Sequence, residues 1–204
     1  MKPKQIPGIP QQKNGSFHDT EKYIHFENSE ITDENYEMLK NRFFSINQWE
    51  NYCGKKSAEF KLHNPHGAPI SRLPQENDLI RIKIPGPGNP ESNGYEWVKI
   101  EKISNQLPNV GEIENITMIC IPTKVPGQNK SKHIAHFYSE KSTSNFRISK
   151  GLKFIKIGIY GRNETPNMNT SFIGKMRNSL IGIGGMFGIS KIQWKIFAEK
   201  IIEF

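Results

Sequence analysis

Two pairs of histidines stand three residues apart in this 204-residue chain, a pattern that could hold a metal ion. His63 and His66 flank an Asn-Pro dipeptide in a predicted loop and could converge, whereas His133 and His136 lie on a predicted strand. Residues three apart on a strand point to opposite faces. Zinc needs three or four protein ligands, and no third ligand stands near either pair in the sequence. We therefore predict ordinary histidines, with no metal and no cofactor.

A glycine-rich stretch, IGIGGMFG at 181–188, is the next chemical pattern. A nucleotide-binding G-x-G-x-x-G loop would need glycine where Phe187 stands, and no G-K-[ST] motif follows. The stretch also comes after a predicted helix rather than a strand. We interpret it as a flexible, close-packing connector and not as a phosphate loop.

Nucleophilic catalysis has no recognisable motif here. There is no G-x-S-x-G elbow, and Cys53 and Cys120 are predicted to be reduced and buried. Glu96, Glu101 and Glu164 are carboxylates that could act as acid or base, but solvated carboxylates are the usual case. No residue is therefore assigned a catalytic role.

One polar triplet, Arg162-Asn163-Glu164, receives more weight than the other polar residues. It stands at the end of a predicted strand, shortly before Pro166, where adjacent polar side chains could line the mouth of a cavity. A structural turn is the competing interpretation, and it is the commoner role for such a triplet.

The net charge of +8 is unevenly distributed along the chain. Residues 21–60 carry eight acidic and five basic side chains, whereas residues 115–204 carry fourteen basic and four acidic ones. A basic half can attract an anionic partner, although a solvated basic surface is the commoner explanation. The aromatic platform and the RNP pattern of RNA-binding domains are missing, so nucleic-acid binding is not predicted.

The sequence also lacks membrane and export signals. The charge-free run around the late glycines, 178–190, has thirteen residues, too few for a transmembrane helix. The first residues have no continuous apolar region of the secretory type, so a cytoplasmic location is expected by default. Residues 1–20 are predicted to form a flexible segment, and residues 21–204 a single domain.

The elements that must position these residues are predicted from periodicity. The clearest is an antiparallel pair at 78–103, where apolar and charged residues alternate on both sides of a Gly/Pro-rich loop. Its Pro/Gly loop is expected to form part of the cavity rim. Turn signals and short connections favour an antiparallel sheet. Further strands are predicted at 23–26, 57–63, 116–121, 133–138, 144–149 and 152–160.

The helices are predicted at the two ends of the domain. Thr32 is the expected N-cap of a first short helix, and Ser45 that of a second. A helical segment follows at 172–181, and Ser190 is expected to open a final helix with a wide apolar stripe around Trp194. These elements predict an α+β fold: a curved antiparallel sheet with two short N-terminal helices and a long C-terminal helix packed on it.

This order of elements resembles the helix-grip arrangement of the START-like or polyketide-cyclase-like superfamily, over residues 23–204. In that superfamily a curved sheet wraps a long C-terminal helix and leaves an apolar cavity between them. The helical segment before the last helix departs from the simplest helix-grip plan. Four phrases also resemble an uncharacterised protein family of Bacteroidetes-type bacteria, which implies no activity: IPGPGN (84–89), GYEWVKIEKI (94–103), AHFYSEKSTSNFRI (135–148) and YGRNETPN (160–167).

The leading hypothesis is a non-enzymatic cytoplasmic binding protein whose cavity accepts a small amphipathic or lipid-like ligand. A protein–protein interaction module, such as a neutralising partner of another bacterial protein, is the alternative, and a cyclase- or hydrolase-type enzyme ranks third. An exposed apolar patch over a filled interior would favour the alternative, and two converging ionisable groups in a cavity would favour the enzyme. The predicted cavity-lining residues are Trp97, Phe137, Tyr160, Arg162, Asn163, Glu164, Met186 and Trp194.

Overall fold

A computed structural model describes residues 2–54, 57–84, 92–127, 134–167 and 183–204, with the backbone alone for 183–190. The strands are β1 (Ser16–His25), β2 (Glu59–His63), β3 (Leu79–Lys83), β4 (Glu96–Ser104), β5 (Glu114–Pro122), β6 (Thr143–Lys150) and β7 (Phe154–Glu164). The helices are α1 (Ser29–Phe44), a 3₁₀ turn (Ile46–Gln48), α2 (Trp49–Cys53) and α3 (Ile183–Ile201).

The strands form one seven-stranded sheet in the order β1-β7-β6-β5-β4-β3-β2, and all neighbours are antiparallel. Strands β2 to β7 lie in the sheet in the order in which they occur in the chain, and β1 pairs with β7 to form the other edge. A bulge in β4, between Ile100 and Lys102, interrupts the register and bends the strand. With α3 packed against β1 and β7, this architecture confirms the predicted α+β helix-grip fold.

The first strand starts earlier than predicted. β1 begins at Ser16 and not at Tyr23, so residues 16–20 of the predicted flexible segment lie in the sheet. The alternation that marks a half-buried strand is missing from SFHDTEK because both faces of this stretch carry polar side chains. At 133–138, by contrast, the predicted strand is wrong for its described part, where Tyr138 makes a single bridge with Pro166.

Helix boundaries differ from the predicted ones at both ends of the chain. Asn28, and not Thr32, is the N-cap of α1, because its side-chain oxygen accepts the N–H of Ile31 at 2.9 Å. Asparagine and threonine both cap well, so the pattern alone could not choose between them. The short helix α2 ends at Cys53, and Gly54 (φ 88°) follows as its C-cap.

The C-terminal helix begins at Ile183, ahead of its predicted start at Ser190. The glycines of the predicted connector that the structure describes therefore lie in a helix, although glycine disfavours helical structure by about 1 kcal/mol per residue. Positions 181–182 of that connector, the helical segment at 172–181 and most of the predicted rim, 85–91, lie outside the described residues.

The inner face of the sheet carries the main core, covered by α1, α2 and α3. At its centre is an aromatic cluster with ring centroids 4.8 to 6.3 Å apart, formed by Trp49, Phe60, Phe146, Trp194 and Phe197. Trp49 is fully buried, and its indole N–H donates to the carbonyls of Arg42 and Phe43 at 3.0 and 3.2 Å. These bonds fix the α1–α2 corner against the sheet.

The outer face of β5–β7 is buried as well, beneath the N-terminal segment. Arg147 donates to the carbonyl of Pro7 at 3.3 Å, and Arg162 to that of Lys4 at 2.9 Å. Further along the segment, the backbone N–H of Lys13 donates to Asn163 Oδ1 at 2.7 Å. The segment therefore supplies hydrogen-bond partners to polar side chains of the sheet that it covers.

Carboxylates neutralise the cations of this outer face. Glu112 accepts Arg147 Nη2 at 2.6 Å and Lys156 Nζ at 2.5 Å, and its own side chain is only 1% exposed. Asp19 forms a second ion pair on this face, with its Oδ1 atom 2.7 Å from Nη2 of Arg162. Burial alone would raise the pKa of Glu112, but hydrogen bonds from Lys156 and Arg147 lower it to about 2. Its carboxylate form is therefore stabilised by folding.

Because this pKa is depressed from 4.5, the stabilisation by Glu112 is complete above pH 4.5 and is lost as the pH falls towards 2. We predict that Glu112→Gln lowers the free energy of unfolding at neutral pH by about 3–5 kcal/mol, because it leaves buried cations unpaired. When the pH falls from 5 to 3, the variant also loses less stability than the unsubstituted protein does. Urea unfolding across this range measures both effects.

The matched control is Glu101→Gln, at a carboxylate 48% exposed beside Lys99. It should change the free energy of unfolding by less than about 1 kcal/mol. Equal effects of the two substitutions at neutral pH would contradict the assigned role of Glu112.

Candidate functional site

A cavity of about 40 Å³ lies between the inner face of the sheet and α3. The aromatic cluster forms one side of it. The other side consists of inward-facing residues of β3, β4 and β5: Ile80, Ile82, Val98 and Cys120. Strand alternation places these side chains on one face, as the isoleucine pattern of the sequence predicts. Burial raises the pKa of the Cys120 thiol, so this cysteine is an apolar wall and not a nucleophile.

A few polar groups stand at the cavity. The Oε1 atom of Gln193 accepts the N–H of Ala58 at 3.0 Å, which ties α3 to the segment before β2. Ser57, Ser144 and His136 also contribute to the lining. No Asp, Glu, Lys or Arg is among the described lining residues. The cavity therefore suits a neutral occupant.

His136 is a second titratable group of this lining whose pKa is strongly shifted. Its Nδ1 accepts the N–H of Tyr138 at 2.9 Å, and its ring stacks on Phe137 with centroids 4.6 Å apart. Burial lowers the pKa of His136 from 6.5 to about 3. The imidazole is consequently neutral at physiological pH.

Two of the predicted lining residues, Phe137 and Trp194, lie at this cavity. Trp97 lies elsewhere: it packs edge-on against His63, at 5.0 Å, in a small cluster with Leu79 and Ala135. The side chain of Met186 lies outside the described residues.

Tyr160 and Arg162 face the opposite side of the sheet. Since Ile157 and Ile159 point into the core, the alternation of β7 turns Tyr160 outward, where its hydroxyl donates to Glu21 at 2.6 Å. Arg162 has the same orientation and meets Asp19. The alternation that predicts β7 as a strand therefore also predicts that these two residues point away from the cavity.

The last two predicted residues, Asn163 and Glu164, occupy the end of β7. Asn163 has φ 54° and binds the N-terminal segment, accepting the N–H of Lys13 and donating its own N–H to Gln12 at 2.8 Å. Glu164 lies 2.8 Å from Nδ1 of His18. No sequence signal pointed to His18, because its partner stands 146 residues away along the chain.

Metal ligands and membrane spans are two further classes of feature. Within the described ranges, no three His, Cys, Asp or Glu side chains are grouped to hold a metal ion. In the same part of the chain, no helix is both long and apolar enough to cross a bilayer.

Comparisons with known proteins give only weak structural matches. No family model matches the chain, and no curated protein sequence matches it. A Bacillus thuringiensis protein of solved structure is 11% identical, with 92% of this chain and 100% of that chain covered and a TM-score of 0.39. Truncated norcoclaurine synthase from Thalictrum flavum is 9% identical, with 96% and 99% covered and a TM-score of 0.35.

A major latex-like protein from Panax ginseng is also 9% identical, with 91% and 99% covered and a TM-score of 0.35. The helix-grip assignment rests on the strand order of this chain and on the position of α3. The resemblance to a Bacteroidetes-type family stays a prediction.

The depressed pKa of His136 has a consequence for stability. Stabilisation by the neutral ring is complete above pH 6.5 and is lost as the pH falls towards 3, because the unfolded chain then binds the proton more readily. We predict that His136→Gln removes about 2.5 kcal/mol of the stability loss between pH 7 and 4.5. Urea unfolding at both pH values measures this difference.

His66→Gln is the control, because His66 is exposed, and its stability should follow that of the unsubstituted protein at both pH values. Proton NMR gives an independent measurement, in which the His136 ring signal should stay constant down to pH 4.5. A titration midpoint near 6.5 for this ring would contradict the assignment.

Proposed function

We propose that this chain is a non-enzymatic binding protein for a small, neutral, mainly apolar molecule. The molecule is held between the inner face of the sheet and α3. The observation that carries the proposal is the cavity of about 40 Å³ with its apolar lining and its few uncharged polar groups. The helix-grip resemblance implies a ligand in the same place, between sheet and C-terminal helix. A cytoplasmic location remains part of the proposal.

The volume of the cavity limits the ligand. An engineered apolar cavity of about 150 Å³ admits benzene, whereas this one measures about 40 Å³. A ring-sized molecule therefore enters only when a side chain moves. A lipid chain needs a much larger displacement, so a small amphipathic molecule fits this site better than a lipid.

Trp194 is the side chain best placed to move. It is half-buried, and its ring lies 5.2 Å from that of Phe146, at the boundary between cavity and solvent. Trp49 lies in the same cluster but is fully buried and fixed by its indole N–H bonds. A rotation of Trp194 would enlarge the cavity while the rest of the cluster stays packed.

We predict that Trp194→Ala increases the affinity for p-cresol, a neutral one-ring probe, by about tenfold, which corresponds to 1.4 kcal/mol. The physical reason is that the substitution empties the space that the indole fills. Methyl NMR measures the binding, with saturable shifts expected at Ile80, Ile82 and Val98, which line the cavity. Trp194→Leu serves as a second variant if the alanine protein is too unstable to study.

Phe204→Ala is the matched control, because Phe204 is an exposed aromatic residue outside the cavity lining. It should leave the affinity for p-cresol unchanged. The proposal fails if neither Trp194 variant gives saturable shifts at the cavity methyl groups. Independently of this titration, native mass spectrometry of the purified protein identifies any natural ligand by its mass.

A second candidate function, protein–protein interaction, is favoured by an exposed apolar patch at one end of the sheet. Four apolar side chains there are exposed by half or more: Leu107, Val110, Ile113 and Leu152. The N–H of Ile113 donates to the carbonyl of Lys150 at 2.8 Å, which places the β4–β5 loop beside the β6–β7 turn. Groups of exposed apolar side chains mark interaction surfaces more often than single ones do.

For this candidate, we predict that the double variant Val110→Asp, Leu152→Asp loses a protein partner that the unsubstituted chain retains. The two carboxylates would have to be buried without compensation in the complex. Quantitative affinity purification from cells that make the protein measures the loss. Leu73→Asp, at another exposed leucine, is the control and should retain the partner. Identical sets of retained proteins for all three chains would exclude this function of the patch.

A further inference from the structure

A second space, the β1–α3 cleft, lies on the other side of α3 from the cavity. It is an open cleft of about 630 Å³ between residues 17–22 of β1 and one side of the helix. Lys191, Lys195 and Ala198 face the cleft, whereas Gln193, Trp194 and Phe197 face the cavity. The two spaces are therefore separate, and binding in the cleft does not depend on the function proposed for the cavity.

The cleft contains a buried histidine–carboxylate pair. Nδ1 of His18 lies 2.8 Å from Oε1 of Glu164, and the two side chains are 4% and 2% exposed. The hydroxyl of Ser16 donates to the second oxygen of Glu164 at 3.3 Å. Gly161 makes room for the pair, since a Cβ atom at this position would overlap both His18 and Glu164.

The other ring nitrogen of His18 takes no part in this pair. Its Nε2 atom is buried and has no hydrogen-bond partner within the described part of the chain. Glu164 engages Nδ1, so Nε2 is the ring atom left to meet a ligand, and it donates when the ring carries both protons. Leaving a buried polar atom without a partner costs about 1–3 kcal/mol. The hydrogen bond that joins β1 to β7 through His18 and Glu164 uses Nδ1 alone, so Nε2 can bind a ligand.

The ionic residues that line the cleft are three lysines and three carboxylates, and each carboxylate faces a cation. Its acidic residues Asp19 and Glu21 are paired on the outer face, with Arg162 and with Lys4 respectively. Glu199 lies 4.0 Å from Lys195, and the nearby Glu203 pairs with Lys200 at 2.7 Å. Lys22 and Lys191 add positive charge to the same cleft. As an edge strand, β1 also presents peptide groups that no neighbouring strand engages.

We propose that the β1–α3 cleft binds an oxyanion, the phosphate or carboxylate group of a small molecule. The imidazolium of His18 donates its Nε2–H to the anion, and Glu164 holds the ring in place. Lys22, Lys191 and Lys195 surround the anion with positive charge. Buried donors in a partly enclosed cleft bind an anion more strongly than surface lysines alone, because charge-assisted hydrogen bonds strengthen away from water.

The test is an NMR titration of the histidine ring signals of the full chain with inorganic phosphate and, separately, with acetate. Sodium chloride keeps the ionic strength constant. Saturable shifts of the His18 signals are expected, and His18→Gln should abolish binding. The double variant Lys191→Gln, Lys195→Gln should weaken binding about tenfold, since each lost charge near a partly buried anion accounts for a severalfold change.

The matched control is the double variant Lys124→Gln, Lys153→Gln, which removes the same charge at two exposed lysines outside the cleft. It should bind phosphate as the unsubstituted chain does. A response to phosphate alone assigns a phosphoryl ligand, and a response to both anions includes carboxylates. The proposal is overturned if the His18 signals do not saturate with either anion, or if the two double variants bind equally well.

Discussion

The burial of Arg147 is the interaction on which the arrangement of the other elements depends. This side chain has no exposed surface, although it lies on the face of the sheet opposite the aromatic core. Removing a guanidinium from water costs several kcal/mol unless carboxylates and carbonyls replace the water. Glu112, in the β4–β5 loop, and the carbonyl of Pro7 supply these groups. The loop and the N-terminal segment are therefore bound to the sheet by the same charge, and the central strands are covered on both faces.

Double coverage explains why the two candidate sites lie beside α3. On the outer face, ion pairs hold β6 and β7 to the β4–β5 loop and to β1, and their rearrangement would expose or separate buried charges. On the inner face, α3 meets the sheet through apolar side chains, which can slide or rotate at a lower energetic cost than a buried ion pair can separate. The cavity and the β1–α3 cleft lie along this more adaptable contact, one on each side of the helix.

The alternation of isoleucines in β3 and β7, and the apolar stripe of the last helix, were sufficient to predict the antiparallel sheet with a helix on it. The same alternation places Tyr160 and Arg162 on the outer face of β7, so it disagrees with their prediction as cavity-lining residues. Residues 16–22 of β1 could not be recognised as a strand, because their polar side chains have partners far along the chain: Glu21 meets Tyr160, 139 residues away. The His18–Glu164 pair was inaccessible for the same reason, since a local pattern carries no information about a contact of that kind.

One helix divides two spaces of opposite chemistry. Neighbouring residues of α3 face different sides: Trp194 contributes to the uncharged cavity, and Lys195 to the β1–α3 cleft with its charged lining. An amphipathic helix usually separates core from solvent, but here the polar side forms the wall of a second concave surface. A displacement of α3 that enlarges the cavity also changes the position of Lys191 and Lys195 relative to His18. If a ligand in one space shifts α3, thermodynamic reciprocity requires each ligand to change the affinity of the other by the same factor.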